Sequence, residues 1–184
     1  YGKTAFLILL LIGLYRIADV VMGVMANVFY LEKGFNINEI ATYSKFFGVF
    51  ATILGGFLGG IFALKFGTMR ALFIGALIAA ASNLLFAWLA VAPISIKFLI
   101  VVITADNISS GFAGAAFVVY LSGLTSVKFT ATQYALFSSI MLFLPKLIAG
   151  YSGSWVDIMG YANFFTLTAI LGIPVLLMIV WISK

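Results

Sequence analysis

The stretch Thr4–Tyr30, TAFLILLLIGLYRIADVVMGVMANVFY, decides the fold. Wound as an α-helix rising 1.5 Å per residue it is about 40 Å long. That exceeds the ~30 Å hydrocarbon core of a bilayer, which about 20 apolar residues can cross. The run is overwhelmingly apolar, and its only charges are Arg16 and Asp19 near its middle. A strand of a membrane barrel would alternate apolar and polar residues over about ten positions, and this run does not. It reads as a transmembrane helix that carries two charges into the lipid.

The rest of the chain extends that pattern. Of its 184 residues 65% are hydrophobic and only 8% charged, and the mean hydropathy is +1.25. Soluble domains are nearer half apolar and a quarter charged. The length accommodates about six spans of roughly 30 residues each, connections included. After the first span, Gly34 is a helix stop, and Asn38 with Glu39 opens a second helix reaching about Leu64. A basic turn over 65–70 follows, and then a third span from Arg70 to Val91, stopped by Pro93. The fourth runs from Lys97 to Leu124 and the fifth from Ala131 to Gly153; Trp155 to Gly160 forms a turn, and the sixth span covers Tyr161 to Ser183. The fold class expected is an all-α membrane bundle forming a single six-helix domain.

Basic residues near helix ends orient the chain by the positive-inside rule. Lys3, Lys65, Arg70, Lys128 and Lys184 fall on one side, Lys33 and Lys97 on the other, which places both termini in the cytoplasm of a multi-pass protein. An internal repeat accompanies this. Ala41-Thr42-Tyr43 matches Ala131-Thr132-Gln133-Tyr134, and Gly60 to Gly67 matches Gly153 to Gly160, both offset by about three helices. Units of three spans must point in opposite directions, so residues 4–91 and 97–183 read as a 3+3 inverted repeat, an arrangement common in secondary transporters. The chain begins with Tyr1 and enters a span almost at once, as an excised piece of a longer protein would.

The chemistry available is limited. There is no Cys and no His, which removes disulfides, thiol nucleophiles and imidazole acid–base or metal chemistry. No metal or cofactor is expected. The net charge of +5 is scattered rather than clustered, which argues against nucleic acid as a partner and leaves membrane lipid. The two deep carboxylates follow no active-site spacing, so an enzyme is not expected.

Charges at the bilayer centre cost about 2.5–3.5 kcal/mol each on the mildest scale and are expected to face a bundle interior or a wet cavity. Five fall inside spans: Arg16, Asp19, Lys45, Asp106 and Lys146. They occupy the first, second, fourth and fifth spans, whereas the third and sixth carry none and read as outer staves. Asn107, Asn83 and Tyr120 join the same space. Arg16 and Asp19, three apart, could simply neutralise each other, and Lys45 and Lys146, each about seven residues from an outer end, could snorkel to the interface. Asp106 has no basic residue within a turn of its own helix. With no His, proton coupling would have to use Asp19 or Asp106. Glycines such as Gly55, Gly59 and Gly111 admit close helix packing, and Pro145 beside Lys146 predicts a kink in the fifth span.

The segment Gly60–Arg70 resembles the basic turn that major-facilitator proteins place between the second and third helices of each half. Lys65, Gly67 and Arg70 fit; Leu64 stands where that family usually has an acidic residue. Residues 129–139, FTATQYALFSS, with Ala105-Asp106-Asn107 and Gly111 to Phe117, resemble the C-terminal half of the AmpG muropeptide permease family, and the related acetyl-CoA transporters share a similar Thr-Ala-Thr-Gln pattern. The resemblance implies half of a major-facilitator fold, completed by a missing N-terminal six-helix half, in a bacterial inner membrane. It further implies alternating-access import of anhydro-muropeptides for cell-wall recycling, driven by protons. Three basic against two acidic residues suit an anionic small molecule of that kind, and would suit another anionic solute equally. A non-transporting assembly or receptor module, in which the polar residues only fix packing, is the remaining alternative.

Overall fold

The computed structural model describes residues 2–125 and 130–183; Lys128, Lys184 and the side chain of Lys3 lie outside what is described. The described residues are helical almost throughout, with six stretches long and apolar enough to cross a membrane. Span 1 is not one helix. It comprises α1 (Gly2–Leu14) and α2 (Ile17–Lys33), interrupted at Tyr15-Arg16, where Arg16 takes φ −95° and ψ 8°. Gly34, at φ 103°, closes α2 in the left-handed conformation that glycine adopts without steric cost.

Span 2 contains α3 (Ile37–Thr42), a π-helical turn Tyr43–Phe47, and α4 (Gly48–Phe66). The cap is Asn36 rather than Asn38: its side chain accepts from the Asn38 N–H at 2.8 Å, and the Asn36 N–H donates to Glu39 Oε2 at 3.2 Å. This reciprocal box satisfies two backbone donors that a helix start leaves free. Span 3 is α5 (Thr68–Val91) and span 4 is α6 (Ile96–Leu124). Ala92 is extended before Pro93, as sterics against the proline ring demand.

The fifth and sixth spans divide differently from the sequence reading. The helix α7 (Thr130–Ala149) jogs at Gly150-Tyr151, and α8 (Ser152–Ile170) follows. Inside α8, Gly160 stands at φ 77° and ψ 164° and breaks the helix. Contacts fix the directions on either side of it. Gly13 faces Ile140 and Leu144, and the Ser152 hydroxyl donates to Val21 O at 3.2 Å. The Tyr161 hydroxyl donates to Glu32 Oε2 at 2.9 Å, whereas Gly172, which opens α9 (Gly172–Ile182), lies back at the level of Ala18. Residues 130–159 therefore climb alongside span 1, and 161–182 descend. The expected turn over Trp155 to Gly160 is helix up to Met159, and the reversal is concentrated in one glycine. Gly67, at φ 94° and ψ 150°, makes the corresponding reversal between spans 2 and 3.

Span 2 lies along span 4, span 5 along span 1, and span 3 along spans 4 and 6. Spans 2 and 4 touch backbone to backbone: a Cβ on Gly55 would sit 2.1 Å from Ile108 O, and one on Gly111 2.2 Å from Thr52 O. Span 3, expected as an outer stave because it is uncharged, is central. It buries Ala71, Leu72, Gly75, Ala76, Ala79, Ser82, Asn83, Phe86 and Leu89 and contacts spans 1, 2, 4 and 6. Its small residues permit that approach; absence of charge did not mean exposure to lipid. At the end of the bundle opposite the N-terminus, Phe29, Tyr30, Phe86, Tyr161 and Phe165 interlock in an aromatic cluster joining spans 1, 3 and 6.

Candidate functional site

The break in span 1 assembles the site. Ending α1 at Leu14 gives α2 its own N-terminus, with Arg16 at the cap and Asp19 in the first turn, where the helix dipole favours an anion. Arg16 Nη2 pairs with Asp19 Oδ2, and Arg16 also donates to Ser110 Oγ on α6 at 3.2 Å. Ser110 lies 3.5 Å from the same carboxylate oxygen. The guanidinium packs closely over Gly114, where a Cβ would lie 3.3 Å from Nη1. The pair is the one ion pair among the described residues, and both side chains are mostly buried, at 22% and 16% exposure.

Neighbouring spans brace the same break. The Tyr15 hydroxyl donates to Leu72 O at 3.1 Å, filling the space left by Gly75, and its ring stacks on Phe117 with centroids 4.6 Å apart. Asn83 Nδ2 donates to Ala18 O at 3.2 Å. Spans 3 and 4 thus hold the interrupted segment through the Leu72 carbonyl, the Asn83 amide and the Phe117 ring. A discontinuous helix in the middle of a bundle, with backbone groups and charges turned inward, is a recurrent way to build an ion or solute site in a membrane.

Asp106 sits one helical turn from Ser110 on α6, in electrostatic contact with Asp19 and Arg16 and beside the Ser82 hydroxyl. Its Oδ1 is enclosed and has no hydrogen-bond partner. The next residue, Asn107, turns toward span 2: it donates to Ile103 O at 2.8 Å and accepts from the Thr52 hydroxyl at 2.9 Å. Its amide packs on Gly48, where the π-helical turn ends.

The structure thus brings together Arg16, Asp19 and Asp106, with Asn107 adjacent. Lys45, in the π-helical turn, and Lys146, on α7, are exposed and make no ion pair among the described residues. Lys65 and Arg70 are exposed at the end of the bundle carrying the N-terminus, on either side of the Gly67 reversal. Gly67 and Arg70 line a cavity of about 710 Å³ there with Phe73 and Ser183. A second cavity of about 370 Å³ lies between spans 3 and 4 at Ser82 and Ser109. No group of three Asp, Glu, His or Cys side chains assembles among the described residues. Sequence reasoning missed two neutral hydroxyls: Ser110, which ties the charged pair to span 4, and Thr52, which ties Asn107 to span 2.

No family model matches the chain, but relatives match it along nearly its whole length. It is 35% identical over 180 residues to "Putative transporter AmpG 4" of Rickettsia felis, covering 98% of this chain and 44% of the relative's own length. It is 36% identical over 185 residues to a protein named as AmpG transporter 1 in Rickettsia bellii, covering 100% and 45%. A protein named as AmpG transporter 3 in Rickettsia prowazekii is 36% identical over 172 residues, covering 92% and 41%. The chain spans under half the length of these relatives.

Proposed function

This chain is related to the AmpG-type transporters over about half their length, and from that premise we propose that it is the C-terminal half of a proton-coupled secondary transporter. The fold would be half of a major-facilitator architecture, an inverted repeat of residues 4–91 and 97–183 completed by an N-terminal six-helix half. The protein would lie in a bacterial inner membrane with both termini cytoplasmic, importing anhydro-muropeptides for cell-wall recycling by alternating access.

The observation that carries this reading is the buried cluster at the interrupted span 1, where Arg16, Asp19, Ser110 and Asp106 converge from two helices. Carboxylates placed inside a bundle are retained at a cost, and here they surround the only break in span 1 among the described residues. Arg16 would hold Asp19 as the carboxylate. Asp106, which has no comparable counter-ion contact, would exchange a proton as the site opens to alternate sides. Lys45 and Lys146 would complete an anion-binding surface once a second half encloses it.

The test is uptake by the full-length protein that carries this chain, in proteoliposomes with an imposed proton gradient. Asp106→Asn is expected to abolish gradient-driven accumulation while leaving solute exchange at equal pH intact. Normal accumulation by that variant removes the coupling role. If no anhydro-muropeptide is taken up but another anionic solute is, the architecture stands and the substrate changes. The opposing reading, a static assembly module, is favoured by the mutual neutralisation of Arg16 and Asp19. It predicts that substitutions in the cluster lower folded yield and never uncouple transport selectively.

A further inference from the structure

We propose that the first turn of α5, at the end of the bundle that carries the N-terminus, binds the phosphate of an anionic phospholipid headgroup. The inference goes beyond the transport reading and does not rest on it. Span 2 ends here at Phe66, span 3 begins at Thr68 and span 6 ends at Ile182. This is where helices sized to the hydrocarbon core meet the lipid headgroups.

The turn between spans 2 and 3 leaves donors without acceptors. Gly67 reverses the chain and donates its own N–H to Ala63 O at 3.0 Å. The next N–H with a backbone partner is that of Ala71, which donates to Gly67 O at 3.1 Å. The three between them, on Thr68, Met69 and Arg70, point out of the helix start, which has no side-chain cap and no acidic residue in its first turn. Such a start favours an anion, though a free helix start alone selects no ligand. Tyr120 adds an independent demand. It lies on α6 one turn before that helix ends at Leu124, it is 8% exposed, and its hydroxyl is enclosed without a hydrogen-bond partner. It borders a cavity of about 270 Å³ whose other walls include Thr68 and Met69. A buried hydroxyl rarely stays unpaired, and a phosphate oxygen drawn into that cavity gives it an acceptor.

On the span 6 side of the same turn lies the cavity of about 710 Å³, lined by Thr68, Met69 and Arg70 and walled by Phe73, Ile179 and Val180. Its volume is that of a small-molecule site. A polar, basic rim over an apolar wall matches a phospholipid, with the headgroup on the rim and the first methylenes of a chain along the wall. Thr68 and Met69 border both cavities. An anion seated on their N–H groups therefore faces Tyr120 on one side and Arg70 on the other. The planar guanidinium fork of Arg70 suits two phosphate oxygens at once.

No acidic side chain of the protein lies at this end. Of the five in the sequence, Asp19 and Asp106 stand in the mid-bundle cluster. Glu32 and Glu39 flank the far connection between spans 1 and 2, and Asp157 precedes the far reversal at Gly160. Arg70 is exposed and makes no ion pair among the described residues. Lys65, exposed nearby, holds its ammonium 5.4 Å from the Phe66 ring centroid and lines neither cavity. Charge complementarity thus points to an anion, and a basic pocket between spans at the membrane surface suits an anionic headgroup.

The experiment places the full-length protein that carries this chain in phosphatidylcholine nanodiscs with or without phosphatidylglycerol. Thermal unfolding and the lipid retained in native mass spectrometry are followed together. The wild type is expected to melt several degrees higher with phosphatidylglycerol and to retain it in preference to phosphatidylcholine. Arg70→Gln is expected to lose most of that stabilisation and retention. Tyr120→Phe is expected to weaken retention about fivefold, the worth of one hydrogen bond. It should melt no lower than the wild type in phosphatidylcholine alone, since removing the hydroxyl orphans no partner. Lys65→Gln, which removes the same charge outside the cavities, is expected to keep both responses. Should Arg70→Gln not fold, Arg70→Lys, which keeps the charge and loses the fork, is expected to weaken retention. Equal losses in Lys65→Gln and Arg70→Gln, with none in Tyr120→Phe, would mean diffuse attraction to a charged surface and overturn the site. A wild type indifferent to phosphatidylglycerol overturns it too, as does an equal rise with inorganic phosphate in phosphatidylcholine, which makes the ligand a soluble anion.

Discussion

At the residue scale the Arg16–Asp19 pair shows how a charge is made tolerable inside a bundle. Spacing three residues apart on one helix makes the pairing legible in the sequence, and the pair is formed. The bond that ties it to another helix was not legible. Ser110 is one of several small hydroxyl residues in an apolar run, and only the crossing of spans 1 and 4 gives it a role. Asn83 was placed in the polar space, but its bond was not legible, because its donor contact is to a backbone carbonyl on another helix, which leaves no trace in residue type. Removing one partner of a largely buried pair leaves the other uncompensated, so Arg16→Leu is expected to destabilise the chain by about 3–5 kcal/mol. The double variant Arg16→Leu/Asp19→Leu is expected to recover most of that loss. Equilibrium unfolding in mixed detergent measures both; strictly additive effects would show that the two side chains do not act as a pair.

At the scale of elements, six spans were legible because a hydrocarbon core imposes length and apolarity on any helix that crosses it. The interruptions were not. Tyr15-Arg16 contains neither proline nor glycine, and the break there is held by tertiary bonds from Tyr15 and Asn83 rather than by local preference. The π-helical turn at Lys45 gave no signal either. The reversal between spans 5 and 6 was placed within a broader turn, although helix persists through Met159 and only Gly160, its last residue, leaves helical geometry. Spans 2 and 4 yield a sharper expectation. A methyl on Gly55 would meet backbone atoms of Ile108, whereas nothing lies within 4 Å of one on Gly60. Backbone cannot swing aside as a side chain can, so Gly55→Ala must force the helices apart. A loss of about 1–3 kcal/mol, the range for overpacking, is expected, against little change or slight stabilisation for Gly60→Ala, since alanine is the better helix former. Equal effects in an unfolding titration would remove the close contact as the reason these spans stay together.

For the molecule as a whole, the decisive feature is an uneven distribution of burial. Span 3 is enclosed, whereas span 5 hides almost nothing: Leu136, Phe143, Leu144, Leu147 and Tyr151 are all exposed. In their midst is Lys146, also exposed. The helical path through Met159 moves this lysine much deeper than seven residues from a span end. It precedes Gly160 by fourteen residues, about 20 Å of helix, and the Gly13–Leu144 contact sets it near the level of Arg16. A lysine at that depth facing lipid costs about 2.5–3.5 kcal/mol even after snorkelling and local thinning. That cost disappears if another six-helix unit covers span 5 and encloses water or an anion beside the ammonium group. Lys146→Leu is therefore expected to raise the unfolding temperature of the chain alone in nanodiscs, and to impair solute uptake when the chain is part of the full-length protein. Unfolding temperature and proteoliposome uptake are measured on the same pair of variants. If the leucine variant leaves the isolated chain unchanged and transports normally, the ammonium group already reaches water at the interface, and span 5 needs no partner on its account.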